Sequence, residues 1–319
     1  MNNIYEETKF LMKKYNVTAN KNLGQNFLID DETVEKIVEV SEITLEDLVI
    51  EIGPGLGTLT QKLLEKAGKV IAVEIDNKMI RILEERFLLY KNLEILNEDI
   101  LKVNLRELIE KNNFKTVKVV ANLPYYITTP IIMRLLEQKL PIDTITVMVQ
   151  KEVAERLTAL PGTKNSGAIT YSVYYYSEPE VVLDVESSKF IPAPEVDSQV
   201  IKLNLRKKPV VDPIDEKLFF KLIKISFMQR RKTLINSMVN GGMLKNKEQA
   251  IEILKFGIDY NRKKATNIDF SNYYICNELG ALKNFKDEDF YELIIFADVE
   301  TSDTEIKALI SQLPRFNKY

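Results

Sequence analysis

The sequence predicts an α/β fold: a doubly wound, mostly parallel sheet with one reversed strand, followed by a small C-terminal helical domain. Three observations predict it. Short β-branched runs alternate with helical patterns up to Val149, a glycine-rich turn closes the first of these runs, and after Leu183 two strands follow each other with no helix between them. Continuous apolar strands alternating with helices imply a parallel sheet covered on both faces.

In chain order the strand runs are Leu48 to Ile52, Val70 to Ile75, Leu93 to Leu96, Val117 to Ala121 and Thr144 to Val149. Helices are expected over Thr58 to Lys66, with Leu59, Leu63 and Leu64 on one face, and over Lys78 to Tyr90, with Met79, Leu83 and Phe87 on one face. Val181 to Val185 and Val196 to Leu205 form the later strand pair, joined through Phe190-Ile191-Pro192-Ala193-Pro194. Lys207 to Pro213 holds two prolines and two lysines, which suit a linker better than a helix or a central strand. Beyond it the patterns are helical: Asp215 to Phe227, Thr233 to Val239 ending at Gly241-Gly242, and Lys247 to Phe256 ending at Gly257. The expected division is a first domain over 1–207, a helical domain over 208–285, and an extension over 286–319 with one helix, Thr304 to Leu313.

Composition removes whole classes of chemistry. There is no histidine, so Ser-His-Asp and Cys-His catalysis, imidazole bases and imidazole metal sites are excluded. The single cysteine, Cys276, supports neither an internal disulfide nor a thiolate metal cluster and is expected to be a buried hydrophobe. No apolar run approaches the ~18 residues of a membrane span, and the N-terminus lacks a secretory pattern, so a cytoplasmic protein is expected. The net charge of -3 hides an asymmetry: residues 1–207 carry -5, residues 208–285 carry +6 and residues 286–319 carry -4. A basic segment beside an acidic domain suggests an anionic partner such as RNA.

Val49-Ile50-Glu51-Ile52-Gly53-Pro54-Gly55-Leu56-Gly57-Thr58 is a strand, a glycine turn and a helix start. Gly53 and Gly55 let the backbone approach a ligand, and the helix N-terminus offers free N–H groups, so a nucleotide-type ligand is expected. Thr58 stands where a dinucleotide fingerprint wants its third glycine, which weakens a dehydrogenase reading. Glu74 closes the second strand, where a carboxylate can accept ribose hydroxyls. Asp99 follows the third strand, within reach of an adenine amine, and Asn122 follows the fourth. Three polar residues ending consecutive parallel strands converge on the crevice where such sheets bind ligands.

Asn122-Leu123-Pro124-Tyr125 then suggests a reaction. An aromatic exocyclic amine is a poor nucleophile because its lone pair is delocalised into the ring. The side-chain oxygen of Asn122 and the carbonyl of Leu123, set against its hydrogens, would favour a tetrahedral nitrogen. Pro124 fixes the turn and Tyr125 offers a face for a base, with Phe190 expected on the other face. Extruding a base costs a few kcal/mol, and each aromatic stack returns about 1 to 3 kcal/mol, so two rings roughly offset the cost. The same motif logic serves methylases of DNA and protein, which the basic segment fits less well.

At these residues the chain resembles the ribosomal RNA adenine dimethyltransferases, and within them the branch acting on small-subunit RNA. The resemblance runs from about Lys21 to about Asn284. It includes Leu23-Gly24-Gln25-Asn26-Phe27-Leu28, the glycine turn, Glu74, Asp99, Asn122 to Tyr125 and Gln150-Lys151-Glu152-Val153-Ala154. It continues through Phe190 to Ser198 and Phe227-Met228-Gln229-Arg230-Arg231-Lys232-Thr233-Leu234. The family's sheet also ends with one reversed strand. The resemblance implies S-adenosyl-L-methionine as cofactor, with Asn26 and Leu28 joining Gly53, Gly55, Glu74, Asp99 and Asn122 in holding it. It implies dimethylation at N6 of two adjacent adenosines in the 3′-terminal hairpin loop of 16S ribosomal RNA. Arg230, Arg231 and Lys232 would grip the small-subunit precursor through phosphates and shape. A monomer without metal is expected. The alternatives are the related large-subunit methylase of macrolide resistance and a noncatalytic assembly factor on the same fold; the acidic residues 286–319 have no role implied.

Overall fold

The computed structural model describes residues 3–20, 23–211, 213, 215–228, 234–248, 290–291 and 316–317. Arg230, Arg231, Lys232, Cys276, residues 249–256 of the expected helix 247–256, the expected helix 304–313 and most of the 286–319 extension lie outside the described residues.

Contacts divide the chain into two units, the first comprising Met1–Thr158 and Tyr176–Lys207. It begins with α1 (Ile4–Lys14), β1 (Phe27–Leu28) and α2 (Asp31–Val40). Four strand–helix pairs follow: β2 (Asp47–Ile52) and α3 (Thr58–Leu64), β3 (Lys69–Glu74) and α4 (Asn77–Arg86), β4 (Leu93–Asn97) and α5 (Leu105–Asn112), β5 (Thr116–Asn122) and α6 (Thr128–Glu137). β6 (Thr144–Gln150), α7 (Lys151–Thr158), β7 (Ser177–Val185), β8 (Phe190–Ile191) and β9 (Ser198–Leu205) complete the unit.

Seven strands form one sheet in the order β4-β3-β2-β5-β6-β9-β7. The first five are parallel, and β9 runs antiparallel to both its neighbours, which is the one reversed strand. Every residue of β2 is buried, as a central strand with helices on both faces requires. One core cluster packs Val34 and Ile37 of α2 and Leu63 of α3 against Val49, Val70 and Val120 of the sheet. A second joins Leu11 of α1 to Leu56 of the glycine turn and to Met79 and Ile82 of α4. Side-chain caps start several of the helices: Asn3 accepts from Glu6 N, Asp30 from Thr33 N, Asp76 from Lys78 N and Asn104 from Glu107 N.

Two strand starts differ from the sequence expectation by more than one residue. β7 starts at Ser177, four residues before Val181, and includes Pro179; it is the outer strand, where a proline's missing N–H leaves no ladder bond unmade. β9 starts at Ser198 rather than Val196, because Asp197 is tied to other segments: its carboxylate accepts Ser187 N at 2.9 Å and its carbonyl accepts Lys151 N at 3.0 Å.

The second unit contains residues 159–175 and the described residues from Lys208 on. α8 (Ala168–Tyr176), α9 (Glu216–Met228) and α10 (Leu234–Asn240) are its helices. A cut at Lys207 alone leaves 159–175 with the first domain; aromatic packing joins them to the second. Tyr175 lies 5.4 Å from Phe219 and 5.1 Å from Phe220 between ring centroids, and Tyr171 lies 5.5 Å from Phe227. α10 ends at the expected Gly241-Gly242, with Gly242 at φ +68°.

Candidate functional site

The C-terminal ends of β2, β3 and β5 open into a cavity of about 230 Å³ in the first unit. Residues 23–28, the glycine turn, Glu51, Glu74, Asp99 and residues 122–127 line it. This is where the strand order reverses direction from β2, the usual ligand crevice of such sheets.

At one end the wall is mostly backbone. Gly53 and Gly55 take φ of +66° and +58°, which residues with a Cβ rarely adopt. Gly53 N donates to Val73 O at 2.9 Å and Gly57 N to Pro54 O at 2.9 Å, which closes the turn. A Cβ on Gly57 would come within 2.5 Å of the Phe87 ring, so the turn and α4 approach each other only through glycine. Arg86 reinforces this contact by donating to Leu56 O at 2.6 Å while pairing with Glu7 at 2.7 Å.

Two buried carboxylates face this end. Glu74 is 6% exposed. One of its oxygens accepts Gly55 N at 3.1 Å, and the other accepts Ile75 N and Asp76 N, both at 2.9 Å. Burial raises its pKa above the ordinary range against the pull of these three donors. Glu51 is 1% exposed, and its Oε2 has no hydrogen-bond partner. Burial first, with the neighbouring Glu74 charge adding, pushes its pKa up to about 8, so it carries a proton at neutral pH. Asp99 accepts Leu101 N at 2.9 Å.

Residues 24–28 form the wall that joins the two ends. β1 pairs antiparallel with β8, Phe27 opposite Ile191 and Leu28 opposite Phe190. Gln25 donates to Asp76 at 2.9 Å, tying this segment to the loop after β3. Asn26 presents its carbonyl to Asn122 Nδ2 at 3.1 Å.

At the other end the wall presents the side chains of Asn122 and Tyr125 together with Leu123 and Pro124. Because Asn122 Nδ2 is committed to Asn26, its Oδ1 remains as the acceptor on the opposite side of the amide. Leu123 is buried, its N–H bonded to Met148 O at 3.1 Å. Pro124 leads into a 3-10 turn, Tyr125–Ile127. The half-buried Tyr125 has its hydroxyl 2.7 Å from Ser198 Oγ; burial raises its pKa, against the hydrogen bond.

The fold thus brings together Asn26, Leu28, Gly53, Gly55, Glu74, Asp99 and Asn122 to Tyr125 around one cavity. Phe190 stands apart: it is 3% exposed and packs in the core with Leu28, Val185 and Val200, outside the cavity wall. Glu51, Gln25 and Ser198 were not singled out for roles from the sequence. A carboxylate inside the otherwise apolar Leu48 to Ile52 run was the available signal for Glu51; the contacts of Gln25 and Ser198 are long-range and leave no local pattern. Among the described residues no group of three or more His, Cys, Asp or Glu could hold a metal ion, and no helix is long and apolar enough to cross a membrane.

The family model for ribosomal RNA adenine dimethylase matches residues 16–274. Ribosomal RNA small subunit methyltransferase A of Alkaliphilus metalliredigens is 50% identical over 262 residues, covering 82% of this chain and 91% of the relative. The protein of the same name from Clostridioides difficile is 49% identical over 264 residues, covering 82% and 91%. Among solved structures, a dimethyladenosine transferase from Plasmodium falciparum is 30% identical with a TM-score of 0.59, over 76% of this chain and 84% of that one. The 23S rRNA methyltransferase ErmE is 28% identical with a TM-score of 0.56, over 67% and 84%.

Proposed function

The chain belongs to the ribosomal RNA adenine dimethylases, S-adenosylmethionine-dependent enzymes, and from that premise we propose that it dimethylates N6 of two adjacent adenosines in the 3′-terminal hairpin loop of 16S ribosomal RNA. The relatives near 50% identity carry the small-subunit name, which favours this substrate over large-subunit RNA. The observation that carries the chemistry is the single cavity joining a glycine turn and buried carboxylates to an asparagine with a free amide oxygen.

The wall fits the cofactor. Backbone N–H groups and the carboxylates of Glu74 and Asp99 suit a nucleoside, and the buried Glu51 stands in the same wall. Gly53, Gly55, Asn26 and Leu28 would shape the rest of that site. The cofactor, when bound, supplies an electrophilic methyl on a sulfonium. Asn122 Oδ1 and the Leu123 carbonyl would accept the two amine hydrogens of the target base, directing the nitrogen lone pair toward the methyl. Tyr125 would stack on the adenine, and Pro124 holds the turn that separates these groups. Such alignment is worth about 7 to 11 kcal/mol in comparable reactions, and the proton the amine loses on each transfer would pass to solvent.

Arg230, Arg231 and Lys232 would contact RNA phosphates on the small-subunit precursor, in the cytoplasm, with a monomer and no metal. Reversing charge at Arg230 and Arg231 should weaken binding to the particle and lower the slope of affinity against salt by roughly 0.7 to 0.9 for each phosphate no longer neutralised. A salt-independent parent protein would contradict this.

The deciding experiment offers labelled cofactor together with unmethylated small subunits, mature large subunits or naked RNA, and then maps the label. Dimethyladenosine at two adjacent positions of the 16S hairpin loop is expected; label confined to large-subunit RNA would overturn the reading.

A further inference from the structure

We propose that Ser198 is the positioning residue of the target-base face: its hydrogen bond to Tyr125 fixes the plane of the ring on which the adenine stacks. The proposal rests on Tyr125 being that stacking face.

Tyr125 opens a 3-10 turn of three residues with no side-chain cap, and its ring is hinged at two side-chain torsions. Its hydroxyl meets Ser198 Oγ at 2.7 Å. Ser198 is an anchor of a different kind. It is fully buried as the first residue of β9, paired with Gln150 of β6 on one side and Val185 of β7 on the other. The preceding Asp197 is pinned twice, by Ser187 N and Lys151 N. A hinged ring is therefore bonded to a point held by three segments, so the ring follows the serine.

The identity of the residue is informative. Ser198 opens β9 as a buried polar residue ahead of the buried Val200 and Ile201. A buried hydroxyl needs a partner, and Tyr125 is the one it has in this structure. The Pro194 to Ser198 segment thereby reaches the reacting end of the cavity, more than seventy residues from the motif it serves.

The test compares Ser198→Ala, Tyr125→Phe, the double variant and Tyr125→Ala in the full chain. Turnover on small subunits, cofactor Kd, melting temperature and the fluorescence of 2-aminopurine at the target position are measured. Each of the first two variants should lower kcat about threefold to tenfold, the scale of one net hydrogen bond, with cofactor Kd unchanged and weaker stacking of the probe. The double variant should be no worse than either single one, because both remove the same bond. A Ser198→Ala that melts earlier but turns over normally, or losses that multiply in the double variant, overturns the proposal; Tyr125→Phe alone decides it if Ser198→Ala does not fold. Tyr125→Ala separates the levels. If it abolishes stacking while the hydroxyl variants behave as wild type, only the role of Ser198 fails; if it too is without effect, the stacking reading beneath it fails.

Discussion

At the glycine-turn end of the cavity the inward-facing groups are backbone N–H groups and carboxylates, and they hold one another: Gly55, Ile75 and Asp76 all donate to Glu74. At the Asn122 end they are side chains whose orientation is set by groups from distant segments, the Asn26 carbonyl and the Ser198 hydroxyl. The first construction is rigid before any ligand arrives and suits tight recognition of a fixed molecule. The second depends on single side-chain contacts that can be removed one at a time. The difference teaches that affinity and turnover are separable here, and each end should answer to a different measurement.

The largest separation should come from Asn122→Ala. Deleting one acceptor aimed at a developing charge costs on the order of 10² to 10³ in rate, while the backbone-built end is left intact. Single-turnover methyl transfer should fall by that factor with cofactor Kd, from calorimetry, close to the parent value. Loss of cofactor binding on the same scale would break the distinction between the two ends.

Glu74→Gln should act in the opposite sense and more weakly. Three N–H groups converge on the two carboxylate oxygens, and an amide offers only one oxygen, so its NH2 would face a donor. Losing a hydrogen bond to a charged group costs about 1.5 to 3 kcal/mol, which is roughly tenfold to a hundredfold in cofactor Kd. Turnover at saturating cofactor should change far less. A variant with normal Kd and depressed kcat would place Glu74 in the reaction instead.

The two ends also differ in how far the sequence discloses them. The glycine turn, Glu74, Asp99 and Asn122 to Tyr125 are consecutive in their own segments and sit at strand ends, so period and turn chemistry locate them, as they locate five parallel strands and the reversed one. What joins the segments is not local. The pairing of Phe27-Leu28 with Phe190-Ile191, which buries Phe190, arises when the chain folds back over some 160 residues, and the reach of Ser198 to Tyr125 spans more than seventy. The proline in β7 concealed four residues of an edge strand, and α8 went unread because its aromatic face packs on Phe219 and Phe220, residues beyond the linker.

A further expected effect, read in stability and not in rate or affinity, concerns proton uptake at the glycine-turn end. Glu51 holds its proton in the folded, ligand-free protein up to about pH 8, whereas an unfolded carboxyl releases it near its ordinary value of 4.5. Between those limits the folded state binds more protons, so raising the pH removes stability that is fully present below the ordinary range, on the order of a few kcal/mol by pH 8. Glu74, also raised, acts in the same direction. Asp30 and Asp47, held low by Lys189, Lys118 and threonine contacts against their burial, lose their contribution only on the acid side and leave this window clear. Urea midpoints of the ligand-free protein should therefore decline from pH 5 to 8, and Glu51→Gln should flatten the decline whatever it does to the midpoint itself. Among the described residues lining the Asn122 end there is no buried carboxylate of this kind, and burial raises the Tyr125 phenol away from this window. An undiminished slope in Glu51→Gln would mean that the proton sits elsewhere, and the contrast between a titrating end and a silent one would be lost.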